Sequence, residues 1–464
     1  MLFRVAHLAV PFLPASVRTR IETALDRFSS DQVLAGRTAI TAFSLRVVGA
    51  AIAYLTQILL ARWMGIFEYG VFVVVYVWLT ILSQLGNLGF SSSVIRFIPE
   101  YRAKADLGRL WGIMRASRIA AGGFATVLSA VGVGTIWLFP GLVDSHFVWP
   151  IYLGAICLPL FCLTEVQDGI ARSFDWPDLA FGPTYLWRPI GILLAMAFAH
   201  EAGFPMTAAT ACGATIVATW ATALIQLFVL HTRTTVTVER HPRATDWRTW
   251  FAVSLPILLS DGFFALLTSV DVLMVAHFES PHDVAVYYAA TKTLALVHFV
   301  YYAVRAASGP RYSYSFHAGD RAGLESMVRT SVRWTFWPSV AVSVVVLSFG
   351  TPLLSLFGSE FADGVGILTI LVLGILARAS IGPVESLLTM AGHQTTVAWI
   401  FGAVFLANVS LNALLIPFFG LYGASCGMAL AMILETLLLF LAVRRHFHLT
   451  AFIFRIGPPE GQPS

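Results

Sequence analysis

The sequence predicts an all-α integral membrane protein with twelve transmembrane helices in two six-helix lobes. Three observations predict it. Of 464 residues, 58% are hydrophobic and only 12% charged, with a mean hydropathy of +0.78. Twelve apolar runs are long enough to cross a bilayer, and the polar segments on either side of the middle linker repeat one pattern. So few charges cannot cover a water-facing surface, which excludes a soluble globule. The four cysteines, Cys157, Cys162, Cys212 and Cys426, lie in apolar stretches without metal-like spacing, so a disulfide scaffold is excluded too.

A helix needs about 20 apolar residues to span the hydrocarbon layer. The runs fall at 38–60, 69–93, 112–139, 149–170, 182–199 and 206–230, then at 251–276, 285–308, 333–357, 364–390, 395–417 and 421–443. They divide the chain into an N-terminal arm (1–35), an N-lobe (36–230), a polar linker (231–250), a C-lobe (251–445) and a tail (446–464). In the arm, Val17, Ile21, Leu25 and Phe28 recur at helical spacing, which predicts an amphipathic helix on the membrane surface. The Pro- and Gly-rich end, 457–464, predicts disorder.

The lobes share a plan. Pro99-Glu100-Tyr101, Asp106-Leu107-Gly108-Arg109-Leu110 and Arg115 in the first half align with Pro310-Arg311-Tyr312, Asp320-Arg321-Ala322-Gly323-Leu324 and Arg329 in the second, with a three-residue insertion. Each set lies between the second and third span of its half, entered in the same direction, as in a parallel repeat. Positive residues mark the cytoplasmic side. Of the 29 Lys and Arg residues, 24 fall on one side if the N-terminus is inside, and the opposite loops hold Arg62 among acids such as Glu68, Asp144 and Glu201. Both termini are therefore expected in the cytoplasm.

Short loops leave no room for an extramembrane catalytic domain. A G-x-x-x-x-G-K-[ST] phosphate loop and metal-site spacing are both missing from the sequence. A non-enzymatic transporter without cofactor or metal is expected, driven by a proton gradient, a sodium gradient or the membrane potential. A nucleic-acid partner is not expected.

The remaining four cations lie within predicted spans: Arg46, Lys292, Arg305 and Arg378. A basic side chain at mid-membrane costs at least ~2.5 kcal/mol, so it faces a partner or a wet cavity. All four are candidate ligands for an anionic substrate such as a phosphate or pyrophosphate. Arg378 has a second reading as a structural pair with Glu385, seven residues on, where Pro383 bends the helix; Lys292 and Arg305 have a second reading as snorkelling side chains. Asp261, Asp271 and Glu385 are candidates for ion coupling. Glu435, Asn408 and Asn412 read as interhelical glue, and Glu165 and Asp168 as helix ends.

Ala61-Arg62-Trp63-Met64-Gly65 followed by Glu68-Tyr69-Gly70-Val71-Phe72, and Asn408, Leu411, Asn412, Leu414-Leu415-Ile416-Pro417, Gly420, Gly423 and Ala424, resemble the polysaccharide-transporter branch of the multidrug/oligosaccharidyl-lipid/polysaccharide exporter (MOP) superfamily. The resemblance runs from about 36 to 445. It implies a V-shaped pair of lobes like that of multidrug exporters (MATE), opening alternately to each side. It also implies a flippase in the bacterial cytoplasmic membrane, carrying undecaprenyl-pyrophosphate-linked oligosaccharide for O-antigen, capsule or exopolysaccharide synthesis. The partners implied are membrane lipid, the polyprenyl-pyrophosphate-linked glycan, a polysaccharide polymerase and glycosyltransferases. Two alternatives stand beside it: an ion-coupled drug or cation antiporter, favoured by Asp261 and Asp271, and a membrane polymerase or glycosyltransferase, disfavoured by the short outer loops.

Overall fold

The structure, a computed structural model, describes residues 30–454, and the amphipathic arm at 17–28 and the tail end at 457–464 lie outside the described residues. Among the described residues there are helices and no strands. The N-lobe comprises α1 (Ser30–Met64), α2 (Ile66–Gly86), α3 (Phe90–Ala103), α4 (Leu107–Leu138), α5 (Ser145–Ser173), α6 (Pro177–Gly182), α7 (Arg188–Glu201) and α8 (Ala208–Thr237). The C-lobe comprises α9 (Trp247–Leu267), α10 (Val270–Phe278), α11 (Pro281–His317), α12 (Arg321–Ser348), α13 (Gly350–Ser355), α14 (Val365–Ala379), α15 (Val384–Met390) and α16 (Gln394–Phe447).

Among the described residues ten helical stretches are long and apolar enough to cross a membrane, against the twelve spans expected. Two local events account for the difference. The fifth span is cut into α6, a π-helical turn over Pro183–Trp187, and α7, because Pro177, Pro183 and Pro189 each remove a backbone donor. The eleventh and twelfth spans run together as α16, whose 54 residues would reach about 80 Å if straight, far beyond a bilayer. They are not straight. Gly420 takes φ 54° and ψ −134°, and beyond it the chain folds back so that Gly423 meets the Leu415 carbonyl and Gly427 meets Asn412. Only glycine enters that backbone region without strain.

The repeat has a structural meaning. Asp106 caps α4 by accepting from the Arg109 N–H at 3.0 Å, and Asp320 caps α12 by accepting from the Gly323 N–H at 2.8 Å. Each aspartate thus starts the third span of its lobe at the same place. In the N-lobe α5 is central, packing against α2, α3, α4 and α8; in the C-lobe α11, α14 and α16 form the corresponding core. The lobes meet mainly along α2 and α11, and α9 touches α2 and α3 as well.

One end of that seam is sealed. Arg62 donates from Nε to the Leu356 carbonyl at 2.5 Å and from Nη2 to the Ser355 carbonyl at 3.2 Å, joining α1 to the C-lobe. Beneath it the Tyr69 ring lies edge-on to Tyr288 and Phe361, and Tyr54 and Thr293 share a hydrogen bond at 3.1 Å. This is the end expected outside from the distribution of the basic residues. Replacing Arg62 by Ala removes both latch bonds and is expected to raise the population open at that end severalfold, at about 0.5–1.5 kcal/mol per bond. Spin labels on the two lobes, measured by double electron–electron resonance, check this; an unchanged distance distribution would show that the latch carries no closing energy.

Candidate functional site

Below the seal the lobes enclose a cavity of about 490 Å³, lined by both halves of the chain. Its walls come from α2, α5, the π turn and α7 on one side, and from α10, α11, α14, α15 and α16 on the other. Two broken spans face it. The seventh stops at Leu267 and restarts at Val270, with Thr268, Ser269 and Asp271 at the wall. The tenth stops at Ala379 and restarts at Val384. Irregular backbone at membrane depth survives where it lines a cavity or finds side-chain partners.

Arg378 supplies such a partner. Its Nη1 donates to the Gly382 carbonyl at 3.0 Å, which closes the break in the tenth span, where Gly382 itself holds φ 64°. The rest of the guanidinium is committed to acids: Nη2 to Glu385 Oε2 at 2.6 Å and Nε to Glu435 Oε1 at 2.7 Å. Tyr301 receives a further bond from Nη2 at 3.2 Å and donates its own hydroxyl to Glu385. Arg305 approaches the same Glu385 at 3.7 Å and is half-exposed, as is Tyr302, so the cavity reaches solvent at the end opposite the seal. The pairing of Arg378 with Glu385 read from sequence is present, and Glu435, read as helix glue, completes it.

The other expected site residues separate. Lys292 lines the cavity, makes no ion pair among the described residues, and holds its ammonium 4.6 Å from the centre of the Tyr288 ring. Asp271 lines it too, accepting from the Tyr287 hydroxyl at 2.8 Å while its Oδ1 has no partner. Arg46 does not line this cavity: it is exposed and stacks 4.5 Å over Phe181, because α1 turns its small face at Gly49 toward Tyr185 and leaves the arginine at the rim. Asp261 does not line it either; its carboxylate accepts from Ser92 at 2.8 Å and ties α9 to α3.

The residue that sequence reasoning missed is Arg188. It is 3% exposed, lines the cavity from the N-lobe, and lies 3.9 Å over the Phe161 ring. Its Nε and Nη2 are buried without a hydrogen-bond partner, and no carboxylate lies within ion-pair distance among the described residues. The three prolines around it were the available signal, since they mark a broken span, and broken spans carry ligand sites. Glu165 also lines the cavity, while Asp168 behind it is held by Thr184 at 2.5 Å and Gln226 at 2.7 Å. Arg188, Lys292, Arg305 and Arg378 are matched in number by Glu165, Asp271, Glu385 and Glu435 on the cavity wall. Two of these acids, Glu385 and Glu435, pair with Arg378, whereas Arg188 and Lys292 make no ion pair among the described residues.

Comparisons with known proteins agree with this architecture. Residues 35–316 match the family described as polysaccharide biosynthesis protein, and residues 256–414 match the MatE family. No curated protein matches. Among solved structures the chain is similar to an inward-facing multidrug resistance MATE transporter of the MOP superfamily, at 15% identity over 88% of this chain and 94% of that one, TM-score 0.69. It is similar to the lipid II flippase MurJ in an inward closed conformation, at 15% identity over 87% of each chain, TM-score 0.68. It is also similar to a MOP superfamily transporter from Pyrococcus furiosus, described as having a binding pocket of reversed polarity, at 14% identity over 91% of this chain and 97% of that one, TM-score 0.66. With more than half of its length matched, the chain belongs to the polysaccharide biosynthesis protein family.

Proposed function

We propose that the protein flips a polyprenyl-pyrophosphate-linked oligosaccharide across the bacterial cytoplasmic membrane, both termini inside, for assembly of a cell-surface polysaccharide. The observation that carries this reading is Arg188: a buried cation with two unpartnered N–H groups, on the wall of a cavity it shares with Lys292 of the opposite lobe, which makes no ion pair among the described residues. A buried donor without an acceptor costs about 1–3 kcal/mol, and a pyrophosphate oxygen relieves that cost. The rings of Tyr76, Tyr301 and Tyr302 at the cavity wall offer surfaces on which sugars pack. The prenyl tail stays in lipid while the head crosses in water.

Arg188 and Lys292 belong to different lobes, so a doubly charged head bound by both favours the state in which the lobes are close, and release of the seal then delivers it outside. Arg378 and Arg305 hold the wall of the C-lobe, with Arg305 meeting the head at the mouth. Direction needs a gradient. Asp271, with one free carboxylate oxygen, is the candidate for binding a proton or sodium ion, since Asp261 and Glu385 are engaged elsewhere. Partnership with a polymerase and glycosyltransferases belongs to the same reading.

A second reading, a cation or drug antiporter, is favoured by the four cavity carboxylates. Purified protein in liposomes loaded with a fluorescent polyprenyl-pyrophosphate glycan separates the two. Under the proposal the glycan becomes accessible to an external glycosidase or quencher only when the protein is present. Exchange of a cationic dye for protons with no movement of the glycan would overturn it.

A further inference from the structure

A second polar pocket lies outside the central cavity, where α4 and α8 meet the linker between the lobes. Arg115 and Arg118 of α4, His231 of α8 and Arg243 of the linker surround a hollow of about 520 Å³, together with Trp111 and Ile119. No acid lines it. Arg115, Arg118 and Arg243 make no ion pair among the described residues, and Arg118 Nε is buried without a hydrogen-bond partner. Two basic residues nearby on the same face are paired: Arg109 with Asp106 and Asp246, and Arg233 with Asp178 at 2.7 Å. Three arginines without an ion pair, one of them with a buried and unpartnered Nε, around a single acid-free hollow make a site that suits an anion from outside the chain.

The pocket is built rather than fortuitous. The linker is fixed to α4 by the Ala244 N–H, which donates to the Gly108 carbonyl at 3.0 Å, and by the Trp111 indole N–H, which donates to the Glu239 carbonyl at 2.9 Å. These bonds hold Arg243 over α4. The Trp111 and His231 rings, 6.5 Å apart, bring α8 to the same place.

We propose that this pocket holds the phosphate headgroup of an anionic membrane lipid. The apolar surroundings select a lipid over a free ion. From the pocket, exposed side chains run along α4 through Ile119, Val127 and Val131, and along α8 through Phe228, Leu224 and Val217. On α4 these positions recur every four or eight residues, one stripe of the helix. Acyl chains lying on both stripes place their headgroup at the arginines, as a lipid does at a basic hollow on the edge of a bundle. The site touches α4, α8 and the linker that connects the lobes, so an occupied pocket braces the linker against the N-lobe.

Native mass spectrometry of the full-length protein, titrated with phosphatidylglycerol, phosphatidylcholine or inorganic phosphate, tests this. Phosphatidylglycerol is expected to bind, and each arginine replaced should weaken it roughly fivefold. Arg115→Gln with Arg243→Gln removes two exposed charges that have no ion pair to lose, so the melting temperature should hold while phosphatidylglycerol binding weakens by about 25-fold. Arg118→Gln should act in the same direction, and Arg188→Gln should leave this binding unchanged. Equal affinity for phosphatidylcholine, or unaltered phosphatidylglycerol affinity in the double variant, would overturn the assignment. Inorganic phosphate binding as tightly as the lipid would assign the hollow to a free anion and overturn it equally.

Discussion

Replacing Arg188 by Met is expected to make the protein more stable and to lower transport by about one to two orders of magnitude. The two effects have one cause. Arg188 is buried with Nε and Nη2 unpartnered and without an ion pair among the described residues, so the empty protein bears the desolvation of a charge with little return. Methionine has similar reach and no polar atoms, and such replacements of buried charge stabilise by about 1–4 kcal/mol. Transport moves the other way. A charge-assisted hydrogen bond to a phosphate oxygen is worth about 1.5–3 kcal/mol, and losing it lowers glycan translocation by roughly 10- to 100-fold. Thermal unfolding of the purified protein and the liposome flipping measurement, made on the same preparation, read both numbers. Arg188→Lys retains the charge without the planar fork and should recover part of the flux. A variant that melts earlier while transporting normally would mean that Arg188 is an ordinary structural residue.

This opposition of stability and function was not legible in the sequence, and the reason is geometric. Arg188 falls at the edge of an apolar run, where counting charges assigns it to the cytoplasmic side; only the interruption of the fifth span over Pro183–Trp187 carries it into the cavity. Glu435 was out of reach for a related reason, since its partner Arg378 lies in another span and their meeting depends on how α14 packs on α16. Helix rotation decided Arg46 and Asp261. Hydrophobic runs locate a span without saying which side faces the partner lobe, and small residues such as Gly49 set that rotation through contacts the sequence does not name. What the sequence did contain was local or periodic. The two capping aspartates, Asp106 and Asp320, marked the repeat; the Arg378 and Glu385 spacing marked a pair on one face; and the run lengths marked the spans.

Arg378 should behave in the reverse manner to Arg188. Removing it leaves Glu385 and Glu435 buried without their shared cation and strips the Gly382 carbonyl of its donor at the break in the tenth span. Breaking a buried pair from one side costs about 3–5 kcal/mol, a large part of what holds a domain together. Arg378→Met is therefore expected to lower the melting temperature sharply and to reduce the amount of protein recovered from membranes. A change that removes the acids together with the arginine separates structure from function. In Arg378→Met with Glu385→Gln and Glu435→Gln the stranded charges are gone, and most of the lost stability should return, because the deficit came from unpaired carboxylates more than from missing packing. If the triple variant is as unstable as the single one, the arginine's bond to Gly382 carries the energy instead. If the single variant melts like the parent, the network bears no structural load, and Arg378 would then have to be counted with Arg188 and Lys292 among the groups free to hold the anionic head.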